Sequence, residues 1–226
     1  MIIAERKPFA EIEAMLEPYS HILLVGCGTC VAVCLVGGEK EVGLLASQLK
    51  LARRLKGRPV EVGEITVERQ CDLEFIRPLC DIVPGYDAIV SLACGAGVQF
   101  VGQQCYIKPI FPAVNTSFIG VNLDAGNYAE RCLACNNCYL GLTGGICPVT
   151  MCPKGLLNGP CGGMVGGRCE VNPDNPCAWC DIYRRLEEQG RLDNLADMLP
   201  LHPHQRRTTP GRVFHPAYRK RYGVHE

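Results

Sequence analysis

The chain has 226 residues, 47% of them hydrophobic, and its 23 Lys and Arg balance 23 Asp and Glu to a formal net charge of zero. That length exceeds one small domain and fits two. The charge balance gives no global attraction for phosphate backbones or anionic lipid, so neither nucleic acid nor a membrane surface is the expected partner. No stretch approaches the eighteen or so continuous apolar residues of a bilayer span. Glu5, Arg6, Lys7, Glu11 and Glu13 break up the segment that a secretory signal would keep apolar, so a soluble cytoplasmic protein is expected, in a compartment where disulfides are rare.

In chain order, residues 21–26 (His-Ile-Leu-Leu-Val-Gly) form a short apolar run ending in glycine, the pattern of a buried parallel strand. Gly38 to Leu55 follows as a covering helix, with Val42, Leu45, Leu49, Ala52 and Leu55 on one stripe. Val60–Val67 reads as a second strand, and Asp72–Asp81 as a helix limited or kinked by Pro78. Ala88–Ala93 is a third strand, Gly97–Cys105 a helix, and Ile110–Val114 a fourth extended stretch. Such alternation builds a parallel sheet with right-handed crossovers. The expected fold is therefore a small three-layer α/β domain of flavodoxin or Rossmann-like type over residues 1–127, followed by an irregular cysteine-rich domain over 128–200 and an extended arm over 201–226.

Open α/β sheets bind ligands beyond the carboxyl ends of their strands. At that place lies Gly26-Cys27-Gly28-Thr29-Cys30-Val-Ala-Val-Cys34. In flavodoxin-type order the first and third strands are neighbours, which brings Cys27 and Cys94 to one crevice. Cys30 and Cys34 can share a helical face. Cys27, Cys30, Cys34 and Cys94 are thus the candidate metal ligands, with Cys71 in reserve. The Gly-x-Gly element lacks a ribose-binding acid after the second strand and carries no nucleotide expectation.

Sixteen cysteines occur in the chain, nine of them between Cys132 and Cys180, among closely spaced glycines and prolines with too few periodic apolar residues for a core. An isolated cysteine such as Cys105 reads as a small buried hydrophobe. Nine at this spacing imply inorganic cofactors. Cys132-x-x-Cys135-x-x-Cys138 is the tight-loop pattern of a cubane iron–sulfur cluster, although the ferredoxin Cys-Pro is delayed to Cys147; structural zinc stays open for some of the thiols. Cluster thiolates accept backbone N–H bonds where the chain can approach closely, and Gly144, Gly145, Gly159, Gly162, Gly163, Gly166 and Gly167 allow that approach. A helix resumes over Asp181–Leu199, interrupted at Gly190.

Three segments together are similar to the methylenetetrahydrofolate reductase C-terminal domain family. They are residues 26–42 with Cys27, Cys30 and Cys34; residues 147–163 (Cys-Pro-Val-Thr-Met-Cys-Pro-Lys-Gly-Leu-Leu-Asn-Gly-Pro-Cys-Gly-Gly); and Cys169-Glu-Val with Cys177-Ala-Trp-Cys-Asp-Ile-Tyr-Arg-Arg-Leu186. The resemblance spans His21 to Leu186. It implies the small accessory subunit of the two-subunit reductase of acetogens and related anaerobes, in one-carbon metabolism of the Wood–Ljungdahl type. Such a subunit has no activity alone. It would relay electrons from a ferredoxin- or NADH-linked donor module to a flavin-containing large subunit. The family pattern does not require a cysteine after the tryptophan, which favours Cys177 over Cys180. Eight ligands then remain for two 4Fe-4S clusters: Cys132, Cys135, Cys138, Cys147, Cys152, Cys161, Cys169 and Cys177. A third cluster, or zinc, would occupy the amino-terminal site. The competing reading is a zinc-stabilised docking subunit without a redox role.

Overall fold

Residues 1–136, 138–200 and 211 are described by a computed structural model. The chain divides into two compact units, Met1–Ala134 and the segment from Cys135 onward. Except for Gly211, the expected arm over 201–226 lies outside the described residues.

The first unit runs β1 (Ile2–Arg6), α1 (Phe9–Met15), β2 (His21–Cys27), α2 (Cys30–Val33), α3 (Glu39–Leu55), β3 (Glu61–Val67), α4 (Leu73–Ile82), β4 (Ala88–Ser91), α5 (Gly95–Gln104), β5 (Ile110–Pro112), β6 (Val114–Asp124) and β7 (Asn127–Cys132). A parallel sheet takes the order β3-β2-β4-β5, so the first and third strands expected from sequence are neighbours. Its register sets Cys27 beside Val67 and Val25 beside Ser91. The apolar run of β2 is explained by burial on both faces. Ile22 and Leu24 pack with Val42, Leu45 and Leu49 of α3 and Ile12 of α1, while Leu23 and Val25 pack with Ile76 and Leu79 of α4 and Val101 of α5.

Local chemistry fixes the helix starts. The Gly38 amide donates to Glu41 Oε2 at 3.0 Å, and the Glu74 amide to the Asp72 side chain at 3.2 Å, each pairing a backbone group that the first turn leaves open. Buried Arg53 on α3 donates to the carbonyls of Glu17 and Tyr19, tying the helix to the turn before β2.

A second sheet, β1-β6-β7, is antiparallel and was not expected from the residue pattern. The extended stretch expected over Ile110–Val114 is divided: β5 closes the parallel sheet at Pro112, and Val114 opens β6 in the other sheet. Cys132 ends β7 opposite Ile119.

The second unit contains α6 (Pro148–Met151), α7 (Ala178–Glu188) and a 3-10 turn over Leu192–Leu195, joined by loops. Its buried cluster is small: Cys177, Trp179, Ile182 and Leu186, edged by Cys152, Leu156 and Cys180. Trp179 fastens it by donating Nε1 to the Leu156 carbonyl at 2.9 Å. The helix expected over Asp181–Leu199 begins earlier and stops at Glu188, because Gly190 (φ 63°) supplies the left-handed turn that ends it.

Candidate metal centres

At the carboxyl edge of the parallel sheet, Cys27 ends β2, Cys30 opens α2, Cys71 follows β3 and Cys94 precedes α5. Cys27 is buried and Cys94 half-buried, and both pack in one cluster with Val31 and Ala93. The loop after β3 lies against this cluster: the Gly28 amide donates to the Val67 carbonyl at 2.9 Å, and the Cys27 thiol faces the Glu68 carbonyl at 3.9 Å.

Gln70 locks the arrangement. Its side chain is fully buried, and its amide nitrogen donates to the carbonyls of Val25 (2.8 Å) and Gly26 (3.1 Å) while its amide oxygen accepts from the Ser91 hydroxyl (2.6 Å). One residue therefore joins the ends of β2, β3 and β4 and delivers Cys71 to the same edge. Burial raises the Cys71 thiol pKa, and the neighbouring Cys94, Cys27 and Cys30 raise it further, since thiolates that close repel one another. Cys34 stands differently. It is buried, and its thiol faces the Ile2 carbonyl of β1 at 3.7 Å.

The thiols of the cysteine-rich stretch are more open. Cys132, Cys138 and Cys161 are exposed, Cys135, Cys147, Cys152 and Cys169 half-buried, and Cys177 buried. Several already have N–H or O–H neighbours. The Ala134 amide donates to Cys132 Sγ at 3.3 Å, and the Cys147 thiol donates to Thr150 Oγ1 at 3.5 Å. The Cys161 pKa is lowered, first by a hydrogen bond from the Gly163 amide and then by the Lys154 ammonium, so its thiolate is favoured. Lys154 is itself paired with Glu170. Cys152, Cys177 and Cys180 meet around the Trp179 cluster. Burial and the hydrogen-bonded Cys177 sulfur raise the Cys180 pKa, which disfavours the thiolate a metal needs.

The loops carry the geometry that amide-to-sulfur bonds require. Ala134 and Asn136, within the Cys132-x-x-Cys135-x-x-Cys138 motif, have φ of 53° and 71°, and Gly162, between Cys161 and the donating Gly163, has φ 80°. All-thiolate donors on amide-lined turns fit an iron–sulfur or zinc group in their chemistry. Among the described residues, no three Cys, His, Asp or Glu side chains are gathered closely enough to hold an ion as they stand.

Two features escaped sequence reasoning. Cys105, expected as an isolated buried thiol, is instead disulfide-bonded to Cys80, which joins α4 to the end of α5. Their separation of 25 residues across two helices gave no local signal. Gln70 likewise sits in no motif, and only its position directly before Cys71 could have drawn notice.

The family described as methylene-tetrahydrofolate reductase C terminal matches residues 111–205. Over those residues the chain is related to that family. No curated protein and no solved structure gives a match. The matched region contains all nine cysteines from Cys132 to Cys180, whereas the sheet-edge thiols precede it. No helix among the described residues is long and apolar enough to cross a membrane.

Proposed function

We propose that this chain is an electron-transfer subunit that binds iron–sulfur clusters and serves a flavin-dependent methylenetetrahydrofolate reductase. One observation carries the reading: the reductase-family match coincides with the run of thiols on amide-lined turns, from Cys132 to Cys177. Two 4Fe-4S clusters held by Cys132, Cys135, Cys138, Cys147, Cys152, Cys161, Cys169 and Cys177 would supply the one-electron steps that link a ferredoxin or NADH-oxidising module to a flavin. The chain's own residues hold the thiolates, and the amides of Ala134 and Gly163 satisfy them with hydrogen bonds that tune such centres. Cys161, exposed and with its thiolate favoured by the Gly163 amide and Lys154, marks the face expected toward a redox partner.

Iron, zinc and acid-labile sulfide in anaerobically purified protein separate this reading from a zinc-stabilised docking subunit. About eight irons with matching sulfide are expected in the cysteine-rich stretch. Co-expression with a flavin-bearing reductase subunit should give a complex whose flavin is reduced by reduced ferredoxin or viologen. The relay role fails if zinc alone is found. It also fails if Cys135→Ser and Cys161→Ser leave donor-driven flavin reduction intact.

A further inference from the structure

Three of the four strands of the parallel sheet lead into cysteines at its carboxyl edge: β2 into Cys27 and, at the start of α2, Cys30; β3 into Cys71 in the loop that follows it; and β4 into Cys94 before α5. This coincidence is enforced by packing. Parallel register places the ends of β2, β3 and β4 side by side. Buried Gln70, in the loop after β3, then binds the ends of β2 and β4 through Val25, Gly26 and Ser91. Gly97 keeps α5 close to that pin, because a Cβ at this position would stand 2.9 Å from the Gln70 Cβ and 2.8 Å from the Ala93 Cβ. The loop that carries Cys94 is fixed from the other side, where the Gly95 amide donates to Thr116 Oγ1 of β6 at 2.8 Å. Among the described residues no three metal-ligating side chains are gathered closely enough to hold an ion as they stand, so binding must draw these loop thiols together.

Cys34 has another role. It is the residue that closes α2, it is 6% exposed, and its thiol is directed onto the Ile2 carbonyl of β1. That contact joins the edge of the parallel sheet to the antiparallel one.

We propose that Cys27, Cys30, Cys71 and Cys94 are the four ligands of an all-thiolate metal centre at the sheet edge, with Cys34 a packing residue outside it. Four thiolates select a thiophilic occupant, either an iron–sulfur cluster or zinc, and reject magnesium or calcium, which take oxygen ligands. The centre precedes residues 111–205 and uses none of the cysteines assigned to electron relay, so the two readings stand or fall separately.

The test uses the full chain isolated anaerobically, with Fe, Zn and labile sulfide determined per chain for the parent and for Cys34→Ser, Cys71→Ser, Cys94→Ser and Cys135→Ser. Cys71→Ser and Cys94→Ser should each lose the same single complement, about four irons with their sulfide or about one zinc. Their double variant should lose no more. Cys34→Ser should keep the parental content, and Cys135→Ser should keep the complement that Cys71→Ser loses. Iron with sulfide and zinc without it both satisfy the proposal and identify the occupant. It is overturned if Cys71→Ser retains all parental metal, or if Cys34→Ser loses what Cys94→Ser loses.

A second readout guards against misfolding. In the parent, exposed Cys71 should resist iodoacetamide until the metal is stripped, and in Cys94→Ser it should be alkylated at once, while the far-UV spectrum is unchanged. Immediate alkylation of Cys71 in the metal-replete parent refutes its role as a ligand.

Discussion

Gln70 shows how much a single buried side chain can organise. Gln70→Leu fills a similar volume but removes the buried hydrogen bonds that Gln70 makes to the carbonyls of Val25 and Gly26 and to the Ser91 hydroxyl. Such buried losses cost about 1–3 kcal/mol, so a lower urea midpoint with an unchanged slope is expected. Gly37 is constrained by a neighbour's backbone instead. A Cβ there would run into the Leu92 carbonyl and the Val31 side chain, and Gly37→Ala should cost about 1–3 kcal/mol through overpacking. Asp87 introduces a pH dependence. Its carboxylate accepts from the His21 and Ser20 amides at 2.9 and 3.1 Å, which lower its pKa below the ordinary value of 3.8. A folded-state value below the unfolded one gives stability that is present above the unfolded pKa and is lost as pH falls through the folded pKa. Asp87→Asn should therefore lower the melting temperature at neutral pH and flatten its decline in acid, and parallel acid curves for parent and variant would dismiss the effect.

Among the elements, those buried on two faces were legible and those held by backbone pairing were not. The strand β2 announces itself because its apolar run is buried on both faces, and helix α3 because Val42, Leu45 and Leu49 of its expected stripe are buried, although Leu55 at the end of that stripe is exposed; the neighbouring placement of β2 and β4 follows from strand alternation. By contrast β6 presents Asn115, Thr116 and Ser117 to solvent and lacks a clean alternation. Its pairing with β1 depends on tertiary context that a local pattern does not carry. The candidate site divides in the same way. Cys27 and Cys94 were placed together by topology and Cys71 stood in reserve after the second expected strand, but the Gln70 pin needed the packed loops to be seen. The Cys80–Cys105 bond between α4 and α5 is the clearest case of a long-range pairing without a local sign. Denatured, metal-free protein should titrate 14 thiols without reductant and 16 with it, and a count of 16 in both would show that the bond does not form. Closing a 25-residue separation is worth about 3.5 kcal/mol in the chain-entropy account, so Cys80→Ser with Cys105→Ser should lower stability by about that amount.

At the scale of the whole molecule, the two units derive their stability from different sources. The α/β unit has extensive buried clusters on both faces of its parallel sheet, built from Leu, Ile and Val. Among the described residues the second unit buries a hydrophobic cluster of Cys177, Trp179, Ile182 and Leu186, and many of its turns have positive φ at glycine. So little apolar burial cannot offset the entropy of ordering those loops, which costs about 1–2 kcal/mol per residue for the backbone alone. In the proposed function metal–thiolate bonds would supply the remaining cohesion, since in small metal-bound modules their free energy becomes folding free energy. Stripping metal anaerobically with acid and chelator, then returning the protein to neutral pH, should therefore unfold one unit selectively. Hydrogen exchange read by mass spectrometry is expected to show peptides from 138–200 falling to nearly unprotected rates, while peptides of β2, α3 and β4 keep their protection. Equal loss in both units, or unchanged protection around Trp179, would mean that the cysteine-rich unit does not depend on metal for its fold.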